Sequence, residues 1–441
     1  MENVKPRQVF ADLRWLVAAA LLSIGFWYWV FYILAPSNAT VVVAAHRPIG
    51  NNSDLYPRWL GARELLLHRR DPYSPEVTRE IQSGFYGRPL DPSNASDPTA
   101  QESFVYPLYV AFLLAPTLTL PFHVVATIFR WLLLVSIAGT VPLWMYCIGS
   151  RTKWLVVAAG MLLAVSSSPG MYEYFQQNLA ALAVLFVAAA FAATVAGRLG
   201  LAGVLLALST IKPDTTGALV MWLLIWAASL KSRGRMAYWF AGTMTVLVVA
   251  GEIYSPHWIG HFLAAVREYP SYGTDPSVIQ VLFPRPFAAA VTLALTTYVF
   301  IRVWRWRKAA AGSQEFGWAA ALVAATTLVT LPKLAGYNAI LLIPGLIVSI
   351  ANYPRLAAGH IFTRAITKAA FACQLWQWLA AVALALACVV IPATRVRSAA
   401  HLPDYTFVPL WPITLMAVIA VSSQTKTVTA QEQPRVFKIH T

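Results

Sequence analysis

Acidic residues are scarce in this 441-residue chain, with 18 Asp and Glu against 33 Lys and Arg. Charged side chains of either sign make up 12%, about half the roughly 25% of a soluble globular chain. That scarcity excludes a water-facing fold. Cysteine is nearly missing as well: Cys147, Cys373 and Cys388 each fall inside an apolar run. Three such thiols give no disulfide framework and no thiolate metal site, and they read as packing residues. No repeat of fixed period is found along the chain. What remains is apolar, at 58% of residues, and the length suits one all-α polytopic membrane domain.

The first apolar run, residues 15–35, follows Lys5, Arg7 and Arg14. It is too long for the core of a cleaved signal and reads as a retained helix that starts in the cytoplasm. Trp27, Tyr28 and Trp29 near its far end fit an interfacial belt. Further spans are predicted at 123–148, 154–168, 178–197, 199–211, 214–230, 237–254, 286–304, 317–331, 338–352, 370–393 and 405–422. Several fall short of the roughly 20 residues that a straight span needs.

The stretch FVYPLYVAFLLAPTLTLPF, residues 104–122, decides the parity of everything after it. If it stays on the outer surface, the cytoplasmic positions collect Arg151, Lys153, Arg198, Lys231, Arg233, Arg235, Arg302, Arg305, Arg307, Lys308, Arg355, Arg364, Lys368, Lys426, Arg435 and Lys438. The outer positions downstream then hold only Lys212, Arg267, Arg285, Lys333, Arg395 and Arg397. If the stretch spans, the bias inverts. The positive-inside rule therefore predicts a non-spanning segment, kinked by Pro107, Pro116 and Pro121. The expected architecture has about 12 transmembrane helices and both termini inside. Residues 1–422 form a single integral domain, an outer loop at 37–122 carries interfacial helices, and 423–441 form a cytoplasmic polar tail. Topology thus accounts for the net charge of +15, and a nucleic-acid partner loses its support.

With that orientation, polar interruptions gather on the outer face: SDLYPRW, FVYPLY, MYEYFQQN (171–178), STIKPD (209–214) and LPKLAGYN (331–338), beside loop 255–285 with Tyr269, Tyr272 and Asp275. Ionisable groups at membrane depth are costly and mark cavities or sites. Residues 54–67 carry Leu55, Trp59, Ala62 and Leu66 at helical spacing, the pattern of an amphipathic helix on the membrane surface. Asp54 opens that helix, where an acid is also a common N-cap. Arg58 lies one turn on and suits either a phosphate contact or a surface ion pair. Lys212 precedes Pro213 between two apolar stretches, as a phosphate anchor or a lysine snorkelling to the interface.

The segments DLYPRWLGARELLLHRRDPYS, FVYPLYVAFLLAP, QQNLAALAVL and GVLLALSTIKPDTTGALV, in this order and on one face, resemble glycosyltransferase family 87. These are polyprenyl-phosphate-sugar-dependent enzymes of membrane fold class C (GT-C). The chain departs from the family in carrying His68 or Arg69 where a glycine is usual before DPY. KLAGYN also stands where a late histidine is expected. The resemblance implies inverting transfer of a sugar, mannose first, from a polyprenyl-phosphate donor to a lipid-linked or glycan acceptor in the cell envelope. It places the general base at Asp54, with Glu173 and Asp214 as rivals. Arg58, Lys212 and Lys333 would hold the donor phosphate; Tyr106, Gln177, Asn178, Tyr337 and Asn338 would bind sugar or acceptor. Belt anchoring competes for the tyrosines and interhelical pairing for Gln177 and Asn178. No Asp-x-Asp pair is present, as expected where the donor is not a nucleotide sugar, and no cofactor or metal site is assigned. Two other classes compete. A lipid or solute transporter would place polar groups at mid-membrane, reachable from both faces. A polymer ligase using a lipid diphosphate would want more outer cations.

The cation distribution predicts that the loop at 231–236 is cytoplasmic. A single cysteine at Ser232, in a chain with Cys147, Cys373 and Cys388 replaced, should react with an impermeant maleimide only after permeabilisation. Labelling in intact cells would invert the topology.

Overall fold

In hydrocarbon the backbone must satisfy its own polar groups, which leaves helices as the economical choice for an apolar chain. The computed structural model follows that rule. It describes residues 6–44, 50–91, 93–94, 97–98, 100–149, 153–272, 276–331 and 335–424, which form helices, turns and connecting segments with no strand among them. Lys333, Asp275 and most of the C-terminal tail lie outside the described residues.

The first helix, α1 (Pro6–Tyr28), continues through a π-helical stretch at Trp29–Leu34 into α2 (Ala35–Ala44). The long first loop carries α3 (Leu55–His68), α4 (Pro75–Tyr86) and the short α5 (Val110–Leu114). Then come α6 (Phe122–Cys147), α7 (Trp154–Val165), α8 (Ser168–Gln176), α9 (Ala180–Val195), α10 (Leu199–Leu208) and α11 (Pro213–Ala228). They are followed by α12 (Gly234–Tyr254), α13 (Trp258–Tyr272), α14 (Val278–Leu282), α15 (Arg285–Arg305) and α16 (Gln314–Thr330). The chain ends with α17 (Ile343–Ala351), α18 (Tyr353–Ala358), α19 (Ile361–Val390), α20 (Ala393–Val396) and α21 (Phe407–Ser423). Each apolar run singled out in the sequence contains a helix. α1 and α19 begin earlier than their runs, because helix formation continues through Arg and Lys residues that a hydropathy reading discards.

Among the described residues, six stretches are long and apolar enough to cross a membrane: Leu13–Ala39, α6, Lys231–Tyr254, α15, α19 and Ala393–Ser423. α7 and α8, bent by 55° at Ser166–Ser167, would make a seventh if they form one span. α9, Leu199–Ile211 and Gly336–Ala351 are apolar but shorter. The segment 104–122 contains no helix longer than the five residues of α5, which reaches only about 8 Å. Its Phe104, Tyr106, Leu108, Val110 and Leu114 are buried, so it is packed on the protein as the non-spanning reading expects.

The largest apolar core runs through α6, α9, α11, α16 and α21. Phe191 stacks on Trp222 at 5.8 Å, and Phe316 packs against both rings. A smaller core joins Phe26, Trp29 and Ile33 to Trp378 and Ala381 of α19. Trp29 closes it by donating to the Ala400 carbonyl at 2.8 Å. Arg233 ties the connection after α15 to α11. Its guanidinium lies 3.7 Å from the Trp226 ring and donates to the carbonyls of Arg307 and Ala309.

α3 departs from the surface helix that its pattern suggested. Leu55, Trp59 and Ala62 are buried as expected, but so are Tyr56, Pro57, Gly61, Glu64 and Leu65, because α4 and the 101–118 segment cover further faces. The helix ends at Arg69, whose φ of 56° is left-handed. Glycine adopts that conformation without penalty, in keeping with the glycine that the resemblance places at His68 or Arg69. Here Arg69 takes the strained position while its guanidinium lies 4.7 Å from the Tyr254 ring.

At Gly203, α10 approaches α12 so closely that an added Cβ would lie 2.3 Å from the Met236 carbonyl oxygen. Small residues permit such backbone approach between membrane helices. Gly203→Ala should lower the melting temperature in detergent, at a cost of about 1–3 kcal/mol. Gly217→Ala, with open space around its new Cβ, should leave it unchanged or raise it. Equal effects at both positions would refute the close approach.

Candidate active site

The turn between α8 and α9 builds the centre of the site. Gln177 takes φ of 48° and ends α8. Its side-chain amide folds back to donate to the carbonyls of Tyr174 at 2.6 Å and Phe175 at 3.0 Å. Asn178 then starts α9, its Oδ1 accepting from the Ala180 N–H at 3.0 Å. The other end of the same amide reaches across the chain: Nδ2 donates to Asp54 Oδ2 at 2.7 Å. The loop bearing Asp54 is pinned to this turn at the Gln176 carbonyl, which accepts from Asp54 N at 2.7 Å and from Ser53 Oγ at 3.2 Å. Asp54 therefore does not serve as a side-chain cap for α3. Its carboxylate points to Asn178 instead.

Glu173 is fully buried, three residues before the end of α8, and its Oε1 accepts from the Ala181 N–H at 3.1 Å. A carboxylate on the first free amides of α9 meets the positive end of the helix. Asp54 and Lys212 both lie within electrostatic range of it.

Lys212 comes from a second helix break. The 3₁₀ turn Ser209–Ile211 ends α10, and Pro213 occupies the first position of α11, where its missing N–H is harmless. The lysine is only 5% exposed, so it does not snorkel. Its Nζ lies 3.5 Å from Asp214 Oδ2 and 3.4 Å from the Tyr106 hydroxyl. The Tyr106 and Tyr337 rings stand 5.6 and 5.2 Å away, and their electron-rich faces favour a cation. Arg58 lies on Tyr106 as well, 4.5 Å from the ring centroid, and donates to the Asp54 backbone carbonyl at 2.6 Å. Tyr106 is therefore shared by both cations.

Of the residues singled out in the sequence, Asp54, Arg58, Tyr106, Asn178, Lys212 and Tyr337 form one cluster. Asn338 joins from its edge, accepting from Thr215 Oγ1 at 3.1 Å. Gln177 is adjacent, but its amide is spent on α8. Lys333 lies outside the described residues. The sequence reading missed Thr215 and Tyr73. Tyr73 belongs to the DPYS motif, and its hydroxyl donates to the Tyr106 carbonyl at 2.6 Å. Burial pushes that hydroxyl well above its ordinary titration range, so it stays a neutral donor. The one available signal was its place in a motif already quoted for other residues.

The sequence model of glycosyltransferase family 87 matches residues 104–332, just over half of the chain. The chain belongs to glycosyltransferase family 87. Neither a curated protein nor a solved structure matches it. The matched stretch of this family 87 member contains Tyr106, Gln177, Asn178 and Lys212. Asp54 and Arg58 precede it, and Tyr337 and Asn338 follow it. The hydrogen bond from Asn178 to Asp54 is one of those that tie the unmatched first loop to the matched body. As a glycosyltransferase the protein uses a sugar donor and an acceptor, and its apolar helices give it membrane character.

Proposed function

We propose that this protein transfers a sugar, mannose by family resemblance, from a polyprenyl phosphate to a lipid-linked or glycan acceptor at the outer membrane face. The observation that carries the reading is the cluster itself: one oriented carboxylate, Asp54, beside two cations that share the Tyr106 ring. In the proposed arrangement the helix breaks at 177–178 and 212–213 line the outer side of a GT-C bundle. The six or seven long helices and the shorter buried ones together make up about twelve spans, with both termini in the cytoplasm.

Asp54 acts as general base in this reading. The acceptor hydroxyl gives its proton to the carboxylate oxygen, and the acceptor oxygen attacks the anomeric carbon from the face opposite the phosphate. The anomeric carbon–oxygen bond breaks, its electron pair goes to the phosphate, and lipid phosphate leaves. One displacement inverts the configuration. The departing group is already a stable anion, so no general acid is needed. Lys212 and Arg58 meet its charge, and a buried cation is most effective where water is excluded. Asn178 holds one carboxylate oxygen and leaves the other for the acceptor.

Asp54→Asn separates base from scaffold. Asparagine can still accept the Asn178 hydrogen bond, and no cap is lost, so melting temperature and donor binding should be unchanged. Turnover should fall by at least roughly a hundredfold, the lower end of a general base's contribution. Near-normal turnover would dismiss Asp54 and direct attention to Asp214.

Lys212→Met keeps the apolar stem and removes the ammonium. Its Michaelis constant for lipid-phosphate sugar should rise by about tenfold or more, with the acceptor constant little changed. Equal change in both constants, at equal amounts of folded protein, would reduce Lys212 to a structural cation.

A further inference from the structure

The two sides of Tyr106 differ in chemistry. Its ring carries Arg58 and Lys212. Its backbone carbonyl is held by Tyr73, and Tyr73 faces a separate cleft of about 360 Å³. The cleft lies between the start of α4, the 101–104 stretch and α13. Asp71, Tyr73, Gln101, Phe104, His261 and Glu268 supply the chemistry of its walls. Its volume falls within the ~300–1,000 Å³ of clefts that hold small ligands.

Among the described residues no lysine or arginine lines this cleft, while two carboxylates do. A phosphate or another anion would be repelled there. Hydroxyl groups would instead meet acceptors at Asp71 and Glu268 and an amide at Gln101. Tyr73 packs edge-on against Phe104 at 5.3 Å and faces the His261 ring at 6.4 Å, giving an aromatic wall for the apolar face of a pyranose. The pair between Asp71 Oδ2 and His261 Nδ1, at 2.9 Å, joins the first loop to α13 and fixes the two walls relative to each other. The short side chains of Ala264 and Ala265 leave room between them.

We propose that this cleft binds the neutral saccharide end of the acceptor, with Tyr106 separating it from the cationic donor pocket. The word acceptor rests on the transfer reading above; saccharide binding by the cleft does not. Saturation-transfer NMR on the full chain in detergent, with neutral disaccharides of glucose, galactose and mannose, tests it directly. At least one disaccharide should give a signal that Ala264→Trp and Thr78→Trp, filling the cleft from opposite walls, reduce by about fivefold or more. Ala264→Ser should retain it. In transfer assays the same tryptophan variants should raise the Michaelis constant for acceptor by about tenfold, with that for donor unchanged. No disaccharide signal, a signal indifferent to both tryptophans, or a preference for glucose 1-phosphate over the neutral sugars would overturn the proposal. Cleft-dependent disaccharide binding without transfer from any lipid-phosphate sugar would leave the cleft standing and sink the donor assignment.

Discussion

A helix break in a membrane chain frees backbone groups that no water will solvate, and the break between α8 and α9 frees several at once. The Asn178 amide resolves this with its two ends. Its carbonyl satisfies the first turn of α9, and its NH₂ group holds Asp54. Glu173 satisfies the next α9 amide, and Gln177 satisfies the last carbonyls of α8. Each of these side chains has one best position, because leaving a buried partner unmade costs about 1–3 kcal/mol. The carboxylate of Asp54 inherits that rigidity across 124 positions of sequence. Position at the site is thus a by-product of capping at the break.

The second break depends on electrostatics more than on hydrogen-bond geometry. A buried ammonium is tolerated when its surroundings replace water, and Lys212 finds an acidic neighbour, a phenolic hydroxyl and two ring faces. Asp214 is more than half exposed while Lys212 is buried, so the pair is screened on one side only. An arriving anion could therefore compete for the lysine at modest expense. Arg58 lies on the same ring and would meet the same anion. Two cations on one tyrosine repel each other, and a negatively charged guest relieves that repulsion.

Much of the fold was legible because hydropathy and helix breakers act locally. The apolar runs located the helices, Pro213 located the start of α11, and three prolines marked 104–122 as unable to form a long helix. What escaped was decided by contacts between distant segments. The stripe of Leu55, Trp59 and Ala62 correctly marked one buried face of α3. Nothing in its periodicity could report that α4 and the 101–118 segment bury further faces. Asp54 at the head of a helix reads as a cap, and only the approach of Asn178 turns its carboxylate elsewhere. Glu173 read as a rival base from its place at a span end; that one of its oxygens accepts from an amide of the next helix depends on the break between α8 and α9.

Tyr106 shows why the first loop and the membrane body must act as one unit. Its ring belongs to the pocket built by Lys212 of the body and Arg58 of the loop, while its carbonyl is held by Tyr73 of the loop. Under the proposed transfer, a lipid-linked donor and a polar acceptor approach from different media, one from within the membrane and one from water. In that reading Tyr106 lies between the pocket that holds Arg58 and Lys212 and the cleft that holds Asp71 and Glu268, and the acids of the cleft disfavour phosphate there. Direct displacement also requires nucleophile and leaving group on opposite faces of the sugar. In the proposed displacement Asp54 takes the acceptor proton on one face of the sugar while Lys212 and Arg58 meet the phosphate on the other.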